Sequence, residues 1–230
     1  MWDIDLKYRE TYETTFTRLV EKRDALNLAR PLNSYSLQKI QDAFTVEWTY
    51  NSNSIEGNTL SLNETHMIIN EGFTIKGKSM REHLEAKNHQ LALHQLYKLV
   101  QEGYILNDSD ILKLHELVLH GIEEDFAGRL RTSGVRISGA NFIPPNALKV
   151  SQFLDELISF VNDNPLQLND IELVTIFHHK FVWIHPFFDG NGRTVRLVMN
   201  LILMSKGFPP AIILSVDRKK YYDALNQANA

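Results

Sequence analysis

Apolar residues recur at intervals of three and four along nearly the whole chain: Leu37, Ile40, Phe44 and Trp48 form one stripe, and Leu112, His115, Val118 and Leu119 another. That spacing gathers each set on one face of a helix. A chain patterned this way is expected to fold as packed helices. The punctuation agrees, because Pro31 closes a first helix, Ser61 with Glu64 reads as a capping box, and Gly72, Gly103 and Gly207 stand where helices stop. These signals predict about eight helices.

One stretch breaks the pattern. From Gly134 to Pro145 apolar and polar residues alternate, glycine supplies a turn and two prolines end the run, which reads as a short β-hairpin. The fold class is therefore all-α, a compact helical bundle carrying one small hairpin. At 230 residues and 43% hydrophobic content the chain has enough material for one core and one globular domain.

Charge and composition narrow the function. A formal net charge of -4 gives no overall attraction to a polyanion, so nucleic acid is not the expected partner. The absence of cysteine excludes thiolate metal sites and cysteine nucleophiles and suits a reducing compartment. The polar start Met-Trp-Asp-Ile-Asp-Leu-Lys does not read as a signal peptide. No apolar run reaches the roughly 20 residues needed to span a bilayer. A soluble, cytoplasmic protein is the expectation.

The chemistry concentrates between two helical segments, in His185-Pro186-Phe187-Phe188-Asp189-Gly190-Asn191-Gly192-Arg193. Apolar periodicity resumes at Val195, so the end of this loop opens a helix. The first turn of a helix has unpaired N–H groups and the positive end of the macrodipole, which together bind phosphate oxygens. Gly190 and Gly192 let a ligand approach the main chain. Arg193 and Arg196 share a helix face and can grip a polyphosphate. Asp189 can hold Mg²⁺ against phosphates, and His185 can take a proton from an attacking hydroxyl. Singly, each has a plain explanation: a core histidine, a turn, a solvated face. Their concurrence within twelve residues points to nucleotide chemistry.

The string His185 to Arg196 resembles the signature of the Fic (filamentation induced by cAMP) family, including its spacing to the second arginine. The resemblance implies a helical bundle that transfers AMP from ATP to a serine, threonine or tyrosine of a target protein. It makes His185 the general base, Asp189 the Mg²⁺ ligand, Gly190, Asn191 and Gly192 the anion hole, Arg193 and Arg196 the phosphate clamps, and Phe187 a buried anchor.

Upstream, Ser52 and Glu56 lie about one helical turn apart, with Gly57 following as a stop. By themselves they are a polar helix terminus. Beside the loop they resemble the family's inhibitory motif, which implies that Glu56 pairs with Arg196 and takes the room of the γ-phosphate. The chain then divides into an amino-terminal helical extension, 1–34, an inhibitory helix region, 35–60, and a catalytic core, 61–230.

Gly128-Arg129-Leu130-Arg131, running into Val135, Arg136, Ile137, Ser138 and Gly139, resembles the family's target-docking flap. Tyr221, Tyr222 and Asn226 occupy a region that borders the nucleoside in the family. The adjacent His178 and His179 point in different directions on a helix and read as structural.

The expected substrates are ATP with Mg²⁺ and a target protein bearing a hydroxyl side chain, with self-modification and self-association as further expectations. Alternatives are removal of AMP with Glu56 orienting water, transfer of another phosphate-containing group, and a nucleotide-sensing module that transfers nothing. Relatives in this family commonly continue past the position of Ala230, which leaves open whether a carboxyl-terminal module follows.

Overall fold

The structure is a computed structural model that describes residues 4–228. Among the described residues nine α-helices and a few short turns of other helix types make up the regular structure. No strand is present among them, and no helix is long and apolar enough to cross a membrane.

The order is α1 (Arg9–Leu28), α2 (Ser34–Ile55), α3 (Leu62–His66), α4 (Met80–Leu99), α5 (Asp108–Leu119), α6 (Val150–Asp163), α7 (Asp170–Ile184), α8 (Asn191–Ser205) and α9 (Arg218–Ala228). Helix starts follow the local sequence. Ser61, Ser79 and Asn169 each cap their helix reciprocally with a glutamate three residues on, pairing N–H groups that the first turn leaves open.

Helix α8 is the central element. Val195, Leu197, Val198 and Leu201 are wholly buried around it, the pattern of a helix enclosed on all sides. Helices α4, α5 and α7 pack against it, and Phe177, Phe181 and Ile184 of α7 are fully buried alongside. Burying each such side chain stabilises the fold by roughly 1.5–3 kcal/mol relative to exposing it. The two ends that face each other, the C-terminus of α7 and the N-terminus of α8, are thereby fixed.

Helix α2 belongs to this same body, since Trp48 enters the main core at 1% exposure. By contrast α1 fully buries no residue: Leu19 and Val20 rest partly buried on the core, Arg9 pairs with Glu172 at 2.7 Å, Arg23 with Asp170 at 3.0 Å, and the Arg23 guanidinium lies over the Phe208 ring. The boundary at residue 34 falls one residue inside the helix, because Asn33 caps it and Ser34 begins it.

The segment expected as a hairpin folds back on itself without becoming one. A tight turn is closed by the Ala140 N–H donating to the Ile137 carbonyl, but the two limbs form no ladder. Pro144 and Pro145 have no N–H to donate, and whichever of them faces the other limb leaves a rung unmade. Side chains hold the turn instead: the Asn226 amide donates to the Gly139 carbonyl at 3.2 Å, and the Asn141 amide donates to the Asn226 carbonyl at 3.0 Å.

Candidate active site

His185 ends α7 in a left-handed conformation, φ 49° and ψ 63°, with its N–H bonded to the Phe181 carbonyl. A non-glycine residue held there stores strain, and such strain collects at functional sites. The chain then turns through the loop and re-enters a helix at Gly190, which caps α8 at φ 75°. A side chain at Gly190 would press on the His115 ring.

Three braces fix the loop, and the sequence reading missed two of them. Phe187 is fully buried and stacked on His115, ring centres 3.6 Å apart. The His115 ring accepts the Gly128 N–H at Nδ1, 3.0 Å, so its Nε2 carries the proton donated to the Asp189 carbonyl, also at 3.0 Å. Burial pushes His115 down to about 4, which keeps it neutral and preserves that tautomer. Arg131 is the second unforeseen brace. Its buried guanidinium donates to the carbonyls of His185 (2.8 Å) and Ile184 (3.3 Å), and its N–H to that of Pro186, satisfying the end of α7 from the base of the flap. Asn191 is the third: its side chain accepts the Phe187 N–H and donates to the Phe187 carbonyl, both at 2.9 Å. Its amide thus closes the loop, while its backbone N–H stays in the open first turn of α8 where the anion hole was expected.

The first turn of α8 carries the N–H groups of Asn191, Gly192 and Arg193, and Thr194 is the first to bond back, to Gly190. Arg193 and Arg196 are 3% and 2% exposed and so are spaced for a ligand inside the fold. Arg193 pairs with Glu85 of α4 at 3.2 Å and with Asp189 at 3.5 Å. Asp189 also meets Arg81, at 2.7 Å. Burial works to raise its carboxyl, but Arg193, the Gly190 N–H and Arg81 together hold it below the usual aspartate range.

Glu56 closes this region from α2. Arg196 donates to the Glu56 carboxylate at 2.8 Å, to the Ser52 hydroxyl at 3.0 Å and to the Ser52 carbonyl at 2.8 Å. The carboxylate covers Gly192 so closely that a Cβ there would collide with it. Gly57 makes this geometry: its N–H bonds the Ser54 carbonyl while that of Asn58 bonds the Asn53 carbonyl, a helix end that requires positive φ, here 102°. The cavity left among Glu56, His185, Asp189, Gly190, Gly192 and Arg193 measures about 140 Å³, smaller than the roughly 300–1,000 Å³ of ordinary ligand sites. Larger hollows, about 840 Å³ each, run along α6 and between α1 and the end of α8, away from these residues.

Burial pushes the His185 imidazole down to about 4, opposed by a backbone hydrogen bond to Val182. At neutral pH it is an uncharged base.

Tyr221 lies beneath the arginines, its hydroxyl 3.1 Å from Nε2 of His178 and its ring 5.9 Å from the Arg196 guanidinium. The Tyr222 hydroxyl donates at 3.5 Å, and Arg218 at 2.7 Å, to the carbonyl of Ile55, the last residue of α2. With Asn226 on the flap turn, α9 touches the end of α2, Arg196 and the flap. Val135, Arg136, Ile137, Ser138 and Gly139 lie on that flap, outside the cavity.

The Fic/DOC family profile matches residues 105–203, which take in the whole loop and both arginines. The chain belongs to the Fic/DOC family. Among Fic relatives, the chain is 37% identical over 230 residues to "Protein adenylyltransferase Fic" of Nematostella vectensis, covering 97% of this chain and 52% of that protein. It is 39% identical over 200 residues to "Protein adenylyltransferase fic-1" of Caenorhabditis elegans, covering 86% of this chain and 39% of that protein. The chain thus spans about half or less of these curated relatives. Its fold matches a solved fragment of C. elegans Fic-1 with a TM-score of 0.84 at 34% identity, covering 96% of this chain and 65% of the fragment. A Fic-domain signaling protein from Bacteroides thetaiotaomicron gives a TM-score of 0.81 at 28% identity, over 93% of this chain and 81% of that one.

Proposed function

We propose that this protein transfers AMP from ATP to a hydroxyl side chain of a target protein and that Glu56 restrains the reaction. The observation that carries the reading is the convergence of a neutral, half-buried histidine, an open helix N-terminus and the buried Arg193 on one cavity, with Glu56 at its edge paired to the buried Arg196. The names of the relatives support the reaction type.

In this reading the target hydroxyl loses its proton to His185 as its oxygen attacks the α-phosphorus. A new oxygen–phosphorus bond forms, the bond from the α-phosphorus to the oxygen bridging the α- and β-phosphates breaks, and pyrophosphate leaves. The first-turn N–H groups of α8, with Arg193 and Arg196, offset the charge of the triphosphate. Mg²⁺ accompanying the nucleotide would neutralise phosphate charge, with Asp189 as its protein ligand. Among the described residues no group of three or more His, Cys, Asp or Glu side chains converges as a cage. One carboxylate plus substrate phosphates is the way Mg²⁺ is ordinarily held beside a nucleotide, so Asp189 suffices. The flap would align the target strand by its unpaired main chain.

Restraint follows from competition. While Glu56 holds Arg196 and covers Gly192, the γ-phosphate has neither its cation nor its room. The test is intact mass spectrometry of wild type, Glu56→Gly and the double variant Glu56→Gly/His185→Ala after incubation with ATP and Mg²⁺, alongside a lysate probed with α-labelled ATP. Label or an AMP-sized mass gain confined to Glu56→Gly supports the proposal. No transfer by any variant despite nucleotide binding would count against it and favour AMP removal, since Glu56 borders the same cavity as His185 and is positioned to orient water.

A further inference from the structure

Arg81 stands outside every motif in the sequence, yet of the two arginines paired with the Asp189 carboxylate it makes the closer contact, Nη2 to Oδ2 at 2.7 Å against 3.5 Å for Arg193. It differs from the other two arginines of the site in one respect. Arg193 and Arg196 are buried, whereas the Arg81 side chain is 48% exposed at the cavity mouth. It is therefore free to swing. It also holds two further carboxylates at the same time, Glu85, one turn along α4, at 3.2 Å and Glu123 at 3.4 Å. Releasing Asp189 leaves Arg81 with two carboxylates and a route to solvent, so the exchange between paired and released positions costs little.

Asp189 can serve one cation at a time at Oδ2. Its other oxygen, Oδ1, is taken by the Gly190 N–H at 2.6 Å and by Arg193. We infer that Arg81 is a tethered cation that competes with the divalent ion for Asp189 and so sets how strongly nucleotide binding depends on that ion. The inference rests on the nucleotide reading of the site and deepens it. When a divalent ion arrives with the triphosphate, Arg81 must leave Asp189, and the free energy of its ion pair is subtracted from the affinity for the ion. A partly exposed pair of this kind is worth about 0.2–1 kcal/mol, with a short, well-aligned arginine contact at the upper end.

The experiment measures binding, not turnover. In the full chain carrying Glu56→Gly, which opens the cavity, the affinity for α,β-methylene-ATP is titrated calorimetrically with EDTA and again with Mn²⁺, and the ratio of the two dissociation constants is taken. Removing the competitor by Arg81→Gln should raise that ratio about fivefold, the upper end of the pair energy expressed as an affinity. Arg81→Lys, which keeps the charge, should stay near the parent ratio, and Asp189→Asn should bring the ratio to about one by removing the ligand. A half-exposed glutamine leaves the core untouched, and circular dichroism checks this. An unchanged ratio in Arg81→Gln, with Asp189→Asn still abolishing the ion dependence, would overturn the role of Arg81 and leave the proposed function standing. A ratio of one in every variant would overturn it as well. If the analogue binds no variant under either condition, the proposed function falls and the inference with it.

Discussion

Nη2 of Arg196 bonds the Glu56 carboxylate at 2.8 Å, and the same carboxylate overlies Gly192, so one side chain closes both the cationic and the main-chain halves of the phosphate site. Replacing Glu56 by glycine should therefore raise nucleotide affinity and AMP transfer together. The increase expected is at least tenfold in transfer, on the order of one buried charge-assisted contact. The variant should also lose about 1–3 kcal/mol of stability, because Arg196 stays buried without its carboxylate. Calorimetric titration with ATP and urea unfolding check the two halves separately.

The pH dependence of His185 separates free from loaded protein. Its imidazole sits near 4 through burial, so the acid limb of kcat/KM should fall well below 6.5, the ordinary histidine value. Bound triphosphate places negative charge nearby and favours the protonated ring, which moves the limb of kcat to higher pH. Identical limbs for the two parameters would contradict this assignment of the base.

Acid should unfold the protein cooperatively with proton uptake. Burial holds His89 and His178 at about 3 and His115 at about 4, all below the unfolded value. Stability from these rings is fully present above the unfolded pKa and is lost as pH falls through the folded values. Urea midpoints followed downward from neutrality should drop steadily, and His178→Gln should flatten the slope by about one proton.

His115→Phe keeps a ring against Phe187 but strands the Gly128 N–H and the Asp189 carbonyl. A loss of about 1–3 kcal/mol is expected from those unpaired groups, read as a lower urea midpoint at constant m. Transfer should fall further than stability alone explains, since Asp189 loses its anchor.

Asn226 ties the flap turn to α9 through Gly139 and Asn141. Asn226→Ala should raise KM for the target protein several-fold while ATP affinity measured in Glu56→Gly stays the same. Equal losses in both would mean that α9 supports the nucleotide site and not the flap.

Much of the site could be read from the sequence because it is local. A helix end, a glycine turn and a helix start are consecutive, and their functional atoms are positioned by backbone geometry that His185 to Arg196 encode themselves. The Glu56–Arg196 pair was reached only through the resemblance, since nothing in spacing says which arginine a carboxylate 140 positions away will meet. Arg81 had no such pointer and went unseen, and Arg131 was read only as part of the flap; both are ordinary arginines until packing brings them to Asp189 and to the end of α7. What the Asn191 side chain does was illegible for a related reason: an asparagine in a glycine turn looks equally suited to ligand and to main chain, and only the loop's closure decides. The hairpin failed because alternation and turn residues describe a strand's sides, while a ladder also needs donors that Pro144 and Pro145 lack.

Glu56 is carried by the same chain as the arginine it occupies, and this has a kinetic meaning. A tethered competitor acts at an effective concentration fixed by the fold, independent of how much protein is present. Dilution cannot relieve it, abundance cannot deepen it, and added nucleotide must outcompete a ligand that never diffuses away. Under the proposed restraint, a signal that lifts it would act on the last turn of α2, and the Ile55 carbonyl, bonded by Arg218 and Tyr222, is a handle through which the rest of the molecule can pull on it.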